Sequence, residues 1–219
     1  IAVDLPGHGE SRDVDLGFDD LADALVEILD ERSPAQAGLL GYSMGGRLAL
    51  YCAVKYPLRF SCLIMASASA GLENEAERPA RRQWEEAWAQ KLRTQPLTAV
   101  LQEWYEQPLF AALKAHPDFT QILSRREQND PQSLARALLH LGAGAQPSLW
   151  AEIAALPLPL YLAVGERDEK YRRLANKTQS LRKEAVVQLV SGCGHALHLE
   201  NPPLFSKMVK KIMDRHRSG

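Results

Sequence analysis

Apolar positions along the chain change period several times, and the changes mark its elements. Residues 1–4, Ile-Ala-Val-Asp, read as the end of a buried strand. Phe18, Leu21, Leu25, Ile28 and Leu29 recur at helical spacing and predict an amphipathic helix over residues 18–31. Residues 37–41 form a short apolar run, a second strand. A helix follows from Met44 to Tyr56, with Leu48, Tyr51, Cys52 and Lys55 along one side and Pro57 as its stop. Residues 61–66 are another apolar strand. From Glu73 to about Pro147 the pattern is helical, rich in Arg, Glu, Gln and Trp, with no convincing strand. Strand-like runs return at residues 158–164 and 185–190, each leading into a polar loop, and a last helix covers residues 203–215. Alternating strands and helices predict a mostly parallel sheet with helices on both faces. The helical block predicts a cap or lid at residues 73–147, inserted between two core parts at 1–72 and 148–219. Because the sequence opens inside an apolar run, N-terminal strands are expected to be missing from it.

Composition narrows the classes. At 219 residues and 46% hydrophobic, the chain can build one sizeable core but not two large domains. A net charge of −1 argues against nucleic acid, or a charged membrane surface, as the main partner. No apolar run reaches the roughly 18 residues of a membrane span, and no secretory leader pattern opens the sequence. Cys52, Cys62 and Cys193 are odd in number and unpatterned in spacing. They read as reduced thiols in a reducing compartment, not as a disulfide or a metal site. No cofactor and no metal are expected.

The candidate chemistry lies at strand ends. Gly41-Tyr42-Ser43-Met44-Gly45 is a G-x-S-x-G pattern that follows a strand and opens a helix, the setting of a nucleophile elbow. Its glycines are expected where side chains would clash. Ser43 would then face the N-terminus of the helix, with the Met44 N–H as an oxyanion donor. A serine nucleophile needs a base, and the base needs an orienting acid. Asp168 follows the strand at 158–164, and His195 follows the strand at 185–190 in Ser191-Gly192-Cys193-Gly194-His195. Glu166 is the rival acid and His198 the rival base. His8, in Leu5-Pro6-Gly7-His8-Gly9-Glu10-Ser11, is expected to hydrogen-bond within its own loop, and Glu10-Ser11 to border the pocket.

With these motifs in view, the sequence resembles the 2-succinyl-6-hydroxy-2,4-cyclohexadiene-1-carboxylate synthases of menaquinone and phylloquinone biosynthesis, which have the α/β-hydrolase fold. DLPGHGES, GYSMGG and GCGH are shared by many α/β-hydrolases. More discriminating are Arg47 within Gly45-Gly46-Arg47, the stretch from Gly71-Leu72 to Arg81, Glu103-Trp104-Tyr105-Glu106-Gln107-Pro108-Leu109-Phe110 in the cap, and the segment from Leu141 to Trp150.

The resemblance implies a lyase. It would eliminate pyruvate from 2-succinyl-5-enolpyruvyl-6-hydroxy-3-cyclohexene-1-carboxylate, with Ser43, Asp168 and His195 acting as the base. A substrate with three carboxylates suits fixed, permanently charged guanidinium groups. The resemblance places Tyr42, Arg47, Arg81, Trp104 and Arg126 at the substrate. Arg81 sits beside Arg78 and Arg82, and Arg126 beside Arg125; spacing to Asn129 favours Arg126. Trp104 could instead be cap core, while Trp84, Trp88 and Trp150 read as packing. The resemblance also implies that one missing strand would lie between residues 1–4 and 37–41, and that the second oxyanion donor lies upstream of Ile1. A bacterial source implies cytoplasm. A plant or algal source implies the plastid, with upstream modules of a fused multi-enzyme chain as partners. Two alternatives are a serine hydrolase of an ester or carbon–carbon bond, and an inactive truncated fragment.

Overall fold

The computed structural model describes residues 1–32 and 36–216. Four strands form one parallel sheet in the order β1 (Ala37–Tyr42), β2 (Phe60–Ala66), β3 (Leu160–Gly165), β4 (Val186–Val190). Helices in chain order are α1 (Phe18–Arg32), α2 (Met44–Lys55), α3 (Arg78–Thr94), α4 (Leu97–Tyr105), α5 (Ala111–Lys114), α6 (Phe119–Arg126), α7 (Pro131–Leu141), α8 (Trp150–Ala155), α9 (Glu169–Leu181), α10 (Leu197–Glu200) and α11 (Pro202–Arg215).

The central strands explain the two faces. β3 is buried along its whole length and β2 along nearly all of it, as a parallel strand covered on both sides must be. Leu63 and Met65 of β2, with Leu160, Leu162 and Val164 of β3, pack against Ala49, Leu50 and Ala53 of α2, Ile153 of α8 and Ala175 of α9. The alternate residues Cys62, Ile64 and Tyr161 turn the other way onto Ile212, Met208 and Met213 of α11. Period-two alternation thus feeds a core on each side. Between β2 and β3 the described chain is helical, from α3 to α8, and contains no strand.

Two expectations differ from the structure. Residues 1–4 form no strand; Ile1 is 87% and Val3 40% exposed. A strand is stabilised by ladder partners, not by its own residues, and none lies beside this segment among the described residues. Asp4 serves instead as a turn anchor, accepting the Glu10 N–H at 3.0 Å. The third strand begins at Leu160, two residues later than the apolar run suggests. Prolines at 157 and 159 offer no N–H, and Arg182 takes the carbonyls of Leu156 and Leu158.

Candidate active site

All three proposed relay residues lie at the carboxyl ends of sheet strands, where loops converge in open α/β sheets. Ser43 sits between β1 and α2 with φ 49° and ψ −110°, a strained geometry for a residue with a side chain. Its N–H donates to the Ala66 carbonyl at 2.8 Å, which ties the turn to β2. The turn is tight enough that a Cβ on Gly41 would strike the Gly45 carbonyl, and one on Gly46 would lie 2.5 Å from Ala68 Cβ. Gly45 is different: a Cβ there would meet only Leu5, at 3.8 Å. The steric demand expected of both motif glycines therefore falls on Gly41 and Gly46. Met44 opens α2, where first-turn N–H groups lack intrahelical acceptors.

The Ser43 hydroxyl lies 3.1 Å from His195 Nε2, and His195 Nδ1 lies 2.8 Å from Asp168 Oδ2. A carboxylate can only accept, so Nδ1 carries the ring proton and Nε2 is left to accept from the serine. His195 and Asp168 are 1% and 5% exposed. The other Asp168 oxygen accepts the Tyr171 N–H at 3.2 Å, capping α9. A Cβ on Gly165 would collide with the Gly194 carbonyl, so the acid and histidine loops touch backbone to backbone.

The rivals occupy other positions. Glu166 is exposed and accepts the Gly192 N–H at 2.8 Å, bracing the histidine loop from outside. His198 lies with its ring 4.4 Å from that of Tyr42, and its buried Nδ1 has no hydrogen-bond partner among the described residues. Burial pushes this imidazole down to about 4, and Arg126 and His195 push it the same way. His8 bonds the Pro6 carbonyl at 3.0 Å, inside its own loop.

Around His195 stand the rings of Tyr171 at 4.7 Å, Tyr42 at 5.4 Å and Phe110 at 6.0 Å. Burial raises the Tyr42 hydroxyl far above the phenol range, against the pull of Arg126. Arg47 lies in the first turn of α2. Its Nη1 is fully buried and makes no hydrogen bond among the described residues. Burial pushes this guanidinium down to about 10; Arg81 adds to the effect, while Tyr171 and Glu85 oppose it. It remains a cation at neutral pH, and its Nη1 is short of an acceptor.

The arginines of α3 and α6 separate clearly. Arg78 is spent on Glu75 and on the carbonyls of Gly144 and Gln146, and Arg82 Nε donates to Gly144 at 3.1 Å. Arg81 uses only Nε, on Glu85 at 2.7 Å, and lays its guanidinium 4.4 Å from the centre of the Trp84 ring. Arg125 is exposed, whereas Arg126 is partly buried and close enough to Tyr42 and His198 to act on both electrostatically. Trp104 packs between Trp88 at 5.0 Å, Trp84 at 5.7 Å and Phe110 at 6.3 Å.

Three contributors escape a reading of sequence. Tyr171 covers the relay histidine. Glu200 accepts the N–H groups of Gly194 and Ala196 at 2.5 and 2.9 Å and so wraps the turn that presents His195. Glu85 lies buried in α3. Only Glu200 leaves a hint in the sequence, as an acid five residues after the histidine. No group of three or more His, Cys, Asp or Glu residues that could hold a metal occurs among the described residues. The three cysteines are buried free thiols, and no helix among the described residues is long and apolar enough to cross a membrane.

A parallel sheet, a strained serine between strand and helix, and a histidine–carboxylate pair at neighbouring strand ends define the α/β-hydrolase class. The sequence model of the Alpha/beta hydrolase family matches residues 1–207. A 2-succinyl-6-hydroxy-2,4-cyclohexadiene-1-carboxylate synthase of Citrobacter koseri is 37% identical over 201 residues, covering 91% of this chain and 77% of that protein. The solved structure of MenH from S. aureus superimposes with a TM-score of 0.92 at 33% identity, over 99% of this chain and 83% of that one. A thermophilic esterase from Thermogutta terrifontis, at 22% identity and a TM-score of 0.78 over 98% of this chain and 79% of that one, shares the fold. The chain belongs to the alpha/beta hydrolase family and, within it, to the 2-succinyl-6-hydroxy-2,4-cyclohexadiene-1-carboxylate synthases.

Proposed function

We propose that the chain is a lyase of menaquinone biosynthesis, eliminating pyruvate from 2-succinyl-5-enolpyruvyl-6-hydroxy-3-cyclohexene-1-carboxylate to give 2-succinyl-6-hydroxy-2,4-cyclohexadiene-1-carboxylate. The observation that carries this reading is the pairing of a serine–histidine–aspartate relay with an arginine four residues beyond the serine whose Nη1 is buried without an acceptor among the described residues. A neutral ester gives no reason to bury a cation at that cost. A polycarboxylate does, because it supplies the missing acceptor.

In this reading His195, oriented by Asp168, takes the Ser43 proton as the serine oxygen removes the proton alpha to the succinyl carbonyl. The C2–H electrons form a C2=C3 double bond, the C3=C4 pair shifts to C4=C5, and the bond from C5 to the enolpyruvyl oxygen breaks. Charge that gathers on the succinyl oxygen is held by backbone donors, of which the Met44 N–H is one. The proton held by the relay returns to the departing pyruvate enolate, so no acyl-enzyme forms. Arg47, Arg81 and Arg126 hold carboxylates, and Tyr42 and Trp104 shape the space between them. The bacterial source of the named relatives supports a cytoplasmic setting.

The test is pyruvate release by the purified protein, set against hydrolysis of a neutral nitrophenyl ester. Wild type is expected to prefer the elimination. Ser43→Ala should lower turnover by about a thousandfold or more. Arg47→Lys should cost about ten- to a hundredfold in kcat/KM, because a point charge cannot replace the planar fork. Preference for the ester, or a lysine variant equal to wild type, would overturn the polycarboxylate reading.

A further inference from the structure

Glu85 is one of the few charged residues that this protein buries outright, with 2% of its side chain exposed. It belongs to α3 in the cap, away from the relay, and the elimination does not use it. Burying a carboxylate is costly unless each oxygen is matched. Here Oε1 accepts from Arg81 Nε at 2.7 Å, and Oε2 accepts from the Gly144 N–H at 3.1 Å. The turn after α7 is built around this group. A Cβ on Gly144 would lie 2.7 Å from Oε2, and one on Gly142 would strike the Leu138 carbonyl and meet Glu85 Cδ at 2.5 Å. Arg78 and Arg82 fasten the same turn through the Gly144 and Gln146 carbonyls. The Gly142-Ala143-Gly144 segment is thereby explained as a socket for a carboxylate.

The socket matters through Arg81. Glu85 engages only Nε, and Trp84 supports one face of the guanidinium at 4.4 Å. Both η nitrogens are left without a protein acceptor among the described residues, while Arg47 lies near enough to feel Arg81 as a like charge. A free arginine side chain must surrender substantial rotamer entropy to hold one pose. One held at Nε and on its face has surrendered it before substrate arrives.

We propose that Glu85 is a positioning residue: seated in the Gly142–Gly144 turn, it holds Arg81 at Nε so that both η nitrogens face a substrate carboxylate. The proposal rests on the polycarboxylate reading of the site. It also explains why the cap carries an acid in a region meant for an anionic substrate. That charge is matched by Arg81 Nε and the Gly144 N–H.

A double-mutant cycle tests this, using kcat and KM for pyruvate release from the full chain. Glu85→Gln keeps the shape but turns an amide N–H₂ toward one of two donors, so Arg81 Nε or Gly144 N loses its acceptor. KM should rise about ten- to a hundredfold, with kcat changing much less. In the Arg81→Ala background the same Glu85→Gln change should add nothing to KM, because there is no guanidinium left to aim. Glu85→Asp, one methylene shorter, runs through the same cycle if the amide variant does not fold. Additive effects on KM, a loss confined to kcat, or failure of both variants to fold would overturn the proposal, since each marks a role in general architecture. Failure of the polycarboxylate reading looks different: wild type then releases no pyruvate, or Arg81→Ala alone leaves KM unchanged.

Discussion

The strand-end loops and the helices between β2 and β3 are built on different terms. At the strand ends main chain meets main chain. Ser43 N–H bonds Ala66, Ser67 N–H bonds Ala163 at 2.9 Å, Arg167 N–H bonds Cys193 at 2.8 Å, and Gly165 lies against Gly194. In α3 and α4, side chain meets side chain: Trp84, Trp88 and Trp104 pack ring on ring, Lys91 pairs with Glu103, and Arg81 pairs with Glu85. Backbone contacts fix positions to tenths of an ångström and tolerate few residue types. Side-chain contacts fix positions through rotamers and can be rebuilt with other residues. A reacting group needs the first kind of support, and a surface that selects a substrate can be made from the second.

Two glycine substitutions set the regions against each other. Gly165→Ala places a methyl group on the Gly194 carbonyl, and neither backbone can retreat without separating Asp168 from His195. A stability loss on the order of 4 kcal/mol is expected, with turnover falling alongside it. Gly144→Ala also meets a crowded site, but its nearest neighbours are the side chains of Glu85 at 2.7 Å and Arg82 at 2.8 Å, which can shift. Its cost should be about half as large and should appear chiefly in KM. Thermal denaturation and steady-state kinetics on both variants decide the matter. Equal losses would erase the distinction between the two regions.

The same distinction explains what could be read from the sequence. Ser43, His195 and Asp168 stand out because backbone-locked turns leave short patterns of small residues beside strands. The burial of Glu85 is not legible in sequence, because its pairing with Arg81 at i,i+4 is also what a surface pair would show and its other partner, Gly144, lies 59 positions away. Arg81 and Arg78 each have an acid within one helical turn; what separates Arg81 from Arg78 and Arg82 is the distant Gly144 and Gln146 carbonyls that occupy those two. Residues 1–4 misled for a related reason. Their composition suits a strand, but pairing depends on a neighbour that local sequence does not contain.

The packing of His198 against Tyr42 lies at the strand ends and gives a pH test. The imidazole is pushed down to about 4 in the folded protein, from an ordinary value near 6.5. Between those values the unfolded chain binds a proton that the folded chain does not. Stability therefore falls as pH drops through that window, and this contribution levels off below about 4. The cost is on the order of 2–3 kcal/mol. His198→Phe keeps an aromatic ring but cannot titrate. Its melting temperature should fall less than that of wild type between pH 6.5 and pH 4, and parallel curves for the two proteins would refute the argument.

The smallest expected effect sharpens the choice between the two acids of the Asp168 loop. Glu166 lies two residues from Asp168 and has the same chemistry, yet its carboxylate reaches the Gly192 N–H, not the histidine ring. That bond steadies the histidine loop from the solvent side, where water can replace a lost acceptor. Glu166→Gln keeps an amide oxygen for the same N–H. Stability should change by less than about 1 kcal/mol, and turnover by less than about fivefold, the rate equivalent of that energy. Asp168→Asn keeps its shape equally well but turns the imidazole toward the wrong tautomer, for which a loss near ten-thousandfold is expected. The informative quantity is the ratio of the two losses. If Glu166→Gln cost as much as Asp168→Asn, the histidine would be responding to the charge of the whole loop and not to one oriented carboxylate, and the close backbone fit of Gly165 to Gly194 would have no catalytic purpose.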